Sequence, residues 1–165
     1  MRGRKGFTLI ELMVVIAIMA ILASIAVMGF NQWNERYTIE RYTKESYAAL
    51  MRARNDAMKQ NINYIVNLTP NTMIIGPDAD GDGNIDAGVA TTTIQYANFP
   101  ITYAANTMTF DRRGLLTIPP GQNQTICIFS QQNPAYNCII ISQTRINMGK
   151  INWGVACNAT NCQAR

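Results

Sequence analysis

The sequence contains no histidine, which excludes imidazole acid–base catalysis. No Gly-x-Ser-x-Gly elbow and no Gly-Lys-Ser/Thr phosphate loop occurs, so two common catalytic frameworks are absent as well. There is no charge from Leu12 to Phe30, and neither proline nor glycine between Phe30 and Pro70. The first absence leaves a segment compatible with lipid; the second leaves nothing to break a long helix. No internal repeat, low-complexity tract or second domain is evident in the 165 residues. These absences point away from an enzyme, and they leave any movement the protein takes part in to a partner ATPase.

What is present begins with a short basic leader, Met1-Arg2-Gly3-Arg4-Lys5-Gly6, followed by Phe7-Thr8-Leu9-Ile10-Glu11 and the apolar run. At ~1.5 Å per residue, the 19 residues Leu12–Phe30 reach about 28 Å as a helix, close to the ~30 Å of a bilayer's hydrocarbon core. Arg2, Arg4 and Lys5 favour a cytoplasmic N-terminus, with the remainder outside the cytoplasm. Ser24-Ile25-Ala26 offers a small-x-small cleavage site, so a secretory signal peptide is one alternative. Against it, Glu11 interrupts the apolar region, and the run continues past that site through Val27, Met28 and Phe30. A carboxylate at membrane depth costs ~2.5–3.5 kcal/mol on insertion scales, so a chain that keeps one has a use for it.

Gly6-Phe7-Thr8-Leu9-Ile10-Glu11-Leu12, with Val14-Val15-Ile16-Ala17-Ile18, resembles the prepilin leader of type IV pilins and type II secretion pseudopilins. The resemblance covers about the first 30 residues. It implies that a prepilin peptidase cuts after Gly6, that Phe7 becomes an N-methylated terminus, and that the apolar helix stays on the protein. It also implies that Glu11 pairs with the Phe7 amine of a neighbouring subunit during assembly. On the residues alone, Glu11 at the headgroup boundary would simply complement the helix N-terminus, worth ~0.3–1 kcal/mol. Cleavage removes three of the fourteen basic residues against ten acidic ones, taking the formal charge from +4 to +1. The basic balance of the precursor is therefore largely a leader effect and not a nucleic-acid footprint.

From Asn31 to Asn61 the chain is rich in good helix formers, with Glu40 and Lys44 at a favourable i,i+4 spacing. We expect one helix from about Thr8 to Asn61, with Tyr47, Leu50, Met51, Met58 and Ile62 as its core stripe. Arg52, Arg54 and Lys59 read as a solvated face. Many pilin-like proteins carry a proline within the apolar helix; here Gly29 is the candidate for local bending. Beyond it, Tyr64–Leu68, Thr72–Ile75, Thr92–Tyr96, Met108–Phe110, Leu115–Ile118, Thr125–Phe129 and Cys138–Ser142 read as strands of an antiparallel sheet. Asp111–Gly114 reads as a tight turn, and Pro119-Pro120-Gly121 as a break.

The run Tyr47–Asn61, with the later Phe110-x-x-x-Gly114 turn, is similar to the GspH/FimT family of minor pseudopilins and pilins. The implied fold is α+β and pilin-like, a long N-terminal helix packed on a C-terminal antiparallel sheet. The expected organisation is a leader over 1–6, a transmembrane assembly helix over 7–30, and an extracytoplasmic domain over 31–165, with its amphipathic helix at 31–61 and its sheet region at 62–165. The implied partners are other pilins or pseudopilins, the peptidase, the membrane, and an inner-membrane platform with its ATPase.

Two further features sit in the globular part. Cys127, Cys138, Cys157 and Cys162 suit disulfides in an oxidising compartment and allow three connectivities. If Phe129 faces Tyr136, Cys127 falls opposite Cys138 and a cross-strand bridge follows, leaving Cys157 with Cys162. A four-thiolate zinc site is the rival, but neither pair has the tight C-x₂-C spacing. Asp78, Asp80, Asp82, Asn84 and Asp86 follow the alternating-oxygen spacing of a calcium loop, with Gly83 at its turn. Val89 occupies the position where the full loop has a bidentate Glu, so calcium would hold a truncated site. The plain alternative is a solvent-exposed Asp/Gly turn, and no cofactor is required. Function thus reads as a structural minor pseudopilin or minor pilin of a periplasmic filament. The alternatives are a minor pilin that captures DNA through Arg112, Arg113, Arg145, Lys150 and Arg165, and a membrane-anchored calcium domain that escapes leader processing.

Overall fold

The computed structural model describes residues 7–118 and 123–165, without the side chains of residues 25–28. Gly6, the rest of the leader and the Pro119-Pro120-Gly121 break lie outside the described residues.

The absence of helix breakers has the consequence expected of it. A single helix, α1, runs from Leu9 to Gln60 and continues through Gly29. It stops at Asn61, whose φ of 56° is the left-handed conformation that ends helices, and which asparagine tolerates better than most residues. Contacts divide the chain into two compact units, one ending at Glu35 and the other spanning Arg36–Arg165.

In the first unit the described apolar side chains face outward: Leu9, Ile10, Leu12, Met13, Ile16, Met19 and Leu22 are all more than half exposed.

The second unit holds the core. Among the described residues nine strands follow α1: β1 (Asn63–Thr69), β2 (Thr72–Asp78), β3 (Thr92–Gln95), β4 (Ile101–Tyr103), β5 (Thr107–Phe110), β6 (Gln124–Ile128), β7 (Cys138–Ile141), β8 (Ile146–Lys150) and β9 (Gln163–Ala164). They form two antiparallel sheets instead of the one expected, in the orders β3-β2-β1-β5 and β4-β6-β7-β8-β9. Leu115–Ile118 is not a strand. It makes only an isolated bridge, Phe110 to Leu116, because the turn at Asp111–Gly114 returns the chain beside β5 while Leu116 donates instead to the Gln143 carbonyl.

The core stripe of α1 is only in part the one read from the large apolar residues: Leu50 is buried and Tyr47 and Met51 pack against the core, but most of the buried face is made of other residues. Ile39, Tyr42, Thr43, Ser46, Ala49, Leu50, Ala53 and Ala57 are buried, whereas Met58 is 43% exposed. These positions recur at three- and four-residue steps, as one helix face must, but most are small. Small side chains let the sheets approach the helix closely while contributing little hydrophobic signal. One core joins this face to Val66, Met73, Ile94, Met108, Phe110, Ile126, Ile139 and Ile141 from both sheets. Glu40 pairs with Lys44 at 3.7 Å; it also accepts the Ala135 N–H at 2.8 Å, tying the helix to the β6–β7 loop.

Candidate functional site

Two places carry the residues singled out from the sequence, the start of α1 and the loops of the Arg36–Arg165 unit. At the first, Thr8 and Glu11 form a reciprocal cap. The Glu11 carboxylate accepts the Thr8 N–H at 2.9 Å and the Thr8 hydroxyl at 2.8 Å, and the Glu11 N–H is directed at Thr8 Oγ1 at 3.3 Å. This is a capping box: the helix begins with donors that have no intrahelical partner, and a Thr-x-x-Glu pair satisfies them from both sides. The Thr8-x-x-Glu11 spacing was visible in the sequence, yet Thr8 was not read as the partner. The cap holds the Glu11 carboxylate one turn from Phe7, which is 90% exposed. Phe7, Ile10, Glu11, Val14 and Val15 together line a shallow, mostly apolar groove.

At the second place, the cysteines pair differently from the expected scheme. The strand register is the expected one, with Cys127 directly opposite Cys138. The bonds, however, are Cys127–Cys157 and Cys138–Cys162, and no described cysteine is free. Both strand cysteines face away from the helix, since the neighbouring Ile126, Ile128, Ile139 and Ile141 belong to the helix-side core. The C-terminal segment lies over that outer face and buries Ile151 and Cys162 against Cys127 and Cys138. Each strand cysteine therefore meets a cysteine from above before it meets its neighbour in the sheet. Buried Asn137 holds this segment in place: its Nδ2 donates to the Ile151 carbonyl at 2.9 Å and its Oδ1 accepts the Ile151 N–H at 2.8 Å. Gly149 is needed below it, because a Cβ there would come within 2.5 Å of the Gln163 carbonyl and 2.9 Å of Cys162 Sγ.

The acidic loop follows β2. It brings Asp78, Asp80 and Asp86 together, with one carboxylate oxygen of each within 4.8 Å of the others. Asp82 is not in that group. Asp82 accepts the Asn84 N–H at 2.7 Å and the Asn84 side-chain amide at 3.2 Å. The loop closes on its own hydrogen bonds: Gly81 N–H to Asp78 at 2.8 Å, Ala79 N–H to Asp86 at 2.9 Å, and Asp82 N–H to Asp80 at 3.1 Å. Asp78 is buried, whereas Asp80 is exposed.

Two basic residues of the domain are committed, Arg113 in a loop and Arg54 on α1. Arg113 pairs with Asp111 at 2.8 Å, and Arg54 Nη1 donates to the Thr144 carbonyl at 2.7 Å. Partial burial works against ionisation of Asp111. The backbone N–H groups of Leu115 and Arg113 and the Arg113 guanidinium outweigh it and hold the carboxyl below its ordinary value.

A long amino-terminal helix whose apolar first part lies bare, and whose second part packs on antiparallel sheets, is the architecture of pilin-like proteins. Residues 1–27 match the prokaryotic N-terminal methylation motif. Residues 43–144 match the family described as type II transport protein GspH, which is more than half of the chain, and the protein belongs to that family. Two fimbrial proteins of Pseudomonas aeruginosa are each 39% identical to it over 70 residues, 42% of this chain and 45% of theirs; the chain thus matches under half the length of these curated relatives. Crystal structures of the Pseudomonas aeruginosa (strain PAO1) type IV minor pilin FimU in two space groups share the fold. Their TM-scores are 0.55 and 0.51, each at 21% identity, over 72% and 67% of this chain and 92% of theirs.

Proposed function

We propose that the protein is a non-enzymatic structural subunit, a minor pseudopilin or minor pilin. In this reading it waits in the inner membrane as a single-span precursor, its N-terminus cytoplasmic and its domain periplasmic, and then enters a filament serving type II secretion or a type IV pilus. The observation that carries this reading is the bare apolar half of α1. Large hydrophobic side chains from Leu9 to Leu22 are 52–76% exposed, an unstable arrangement in water at ~25 cal/mol per Å² of apolar surface. Lipid satisfies it before assembly and sister helices satisfy it afterwards. Partners are then other pilins, the prepilin peptidase that cuts after Gly6, and an assembly platform driven by its ATPase.

Glu11 has a defined part in this exchange. In the single chain its carboxylate is occupied by Thr8, so the uncompensated charge is partly screened while the precursor waits. Cleavage creates an α-amino group at Phe7. A neighbour's amine, entering a site of low dielectric, then offers Glu11 a charged partner stronger than a neutral cap. Capture of DNA is the less supported alternative: mature charge is near zero, and Arg113 already has a carboxylate partner.

Mass spectrometry of the mature polypeptide tests the reading. We expect it to begin with N-methylated Phe7; any other start overturns the account. Glu11→Ala is expected to be cleaved normally yet to enter filaments poorly. Normal incorporation would refute the pairing.

A further inference from the structure

The reading above leaves unexplained a pair of aromatic rings at the far end of the apolar segment. Phe30 and Trp33 are exposed, at 63% and 61%. Their ring centroids lie 6.3 Å apart, one helical step of three residues along the same face. The residues around them are of a third kind, neither apolar nor charged: Asn31, Gln32 and Asn34. The first charges after Glu11 are Glu35 and Arg36.

Distance along the helix gives this position a meaning. From Glu11, Phe30 lies ~28 Å and Trp33 ~33 Å along the axis, at 1.5 Å per residue. With the Glu11 cap at one headgroup boundary, a hydrocarbon layer of ~30 Å ends between those two rings. An indole has an apolar body and one N–H donor, and such rings are enriched where acyl chains give way to headgroups. Amide side chains interleaved with the rings suit the same hydrated but uncharged layer.

We propose that Phe30 and Trp33 form an interfacial anchor, whose partner is the headgroup region of the outer leaflet of a phospholipid bilayer. The pair fixes the depth at which the precursor is held. Glu11 and Trp33 then act as the two depth marks of one span, and the helix leaves the bilayer just before Glu35. Drawing the subunit out of the membrane must first break this ring–headgroup contact. The inference rests on the membrane-stored reading of the chain.

The protein has only two tryptophans, Trp33 and Trp153, so Trp153→Phe leaves Trp33 as its sole indole. The full chain carrying that change is reconstituted in phosphatidylcholine–phosphatidylglycerol vesicles and floated on a density gradient. Its fluorescence is then read with lipids brominated either near the headgroup or near the chain end. We expect flotation, and quenching about twofold stronger from the shallow bromines than from the deep ones. The Trp33→Phe chain, which keeps Trp153, is expected to float and to be quenched by neither. Flotation with stronger quenching from deep bromines, or with none from either, overturns the anchor and leaves the span standing; the latter result would place another copy of the chain over the rings. Failure to float overturns the span and the anchor together.

Discussion

The Tyr96 hydroxyl lies 2.7 Å from Ser46 Oγ across the buried boundary between the helix and the sheets. Ser46 is itself 2.7 Å from the Tyr42 carbonyl and donates to it, so its oxygen is left to accept from Tyr96. The Tyr96 ring packs edge-on against Tyr42 with centroids 5.6 Å apart. A polar contact inside an apolar core thus fixes how α1 is seated.

The two halves of this contact should differ in cost. Tyr96→Phe removes a donor while Ser46 keeps its bond to Tyr42, so about 1 kcal/mol is expected to be lost. Ser46→Ala strands the buried phenol with only Met73 Sδ at 3.9 Å as a weak acceptor, and ~1–3 kcal/mol is expected. Urea unfolding of the Arg36–Arg165 domain would show the order, and a costlier Tyr96→Phe would refute the assigned roles.

Alkaline pH acts on the same residue. Burial pushes the Tyr96 hydroxyl up to about 12 from an ordinary 10.0. The folded state therefore holds this proton where the unfolded chain has released it, and stability is expected to fall as pH rises through that interval. Tyr96→Phe should flatten this limb in unfolding curves followed by circular dichroism.

Asp111 governs the acid side. Its folded value is depressed below 3.8, so its contribution is present at neutral pH and is lost as pH falls through the lowered value. Asp111→Asn is expected to lower the urea midpoint at neutral pH, with a gap to wild type that narrows as pH falls below 3.8. A gap that stays constant throughout the acid limb would mean that the carboxylate charge is unimportant.

The cysteine pairing has a direct check. Peptide mapping without reductant should recover Cys127 with Cys157 and Cys138 with Cys162. A Cys127–Cys138 peptide would show that the C-terminal segment does not cover the sheet. Replacing both Cys157 and Cys162 by serine removes both bridges, should cost about 2–5 kcal/mol for each, and should expose Ile151, which reads out as faster proteolysis beyond Lys150.

For the acidic loop, hydrogen bonding and metal binding make different predictions. Asp78→Ala removes the acceptor for the Gly81 N–H and is expected to cost about 1–2 kcal/mol. That cost should be equal in chelator and in millimolar calcium. A wild-type melting temperature raised by calcium, with the increase lost in Asp78→Ala, would instead assign the three converging carboxylates to the ion.

Much of this was legible along the chain, for physical reasons. A helix of 52 residues needs only the absence of breakers and the presence of good formers, both local properties. The leader motif is local too, and so was the Thr8–Glu11 cap, though its meaning emerged only with the geometry. The core stripe was read only in part, with Leu50 found and Met58 wrongly included, because Ala49, Ala53 and Ala57 pack by being small. Hydrophobic pattern weighs size, whereas helix–sheet approach rewards its absence. Strands β4, β8 and β9 were missed because they are short, at three, five and two residues, and show too little alternation to stand out without their partners.

The amino acids alone determined the bare apolar rod, its single carboxylate, the long helix and even the register that sets Cys127 opposite Cys138. These follow from chain chemistry and from pairings between residues near in sequence. The tertiary structure decided that there are two sheets, which face of the helix they cover, and which sulfur each cysteine meets. Those outcomes depend on how a C-terminal segment lies over a surface that does not exist until the strands have paired, and no local pattern encodes that.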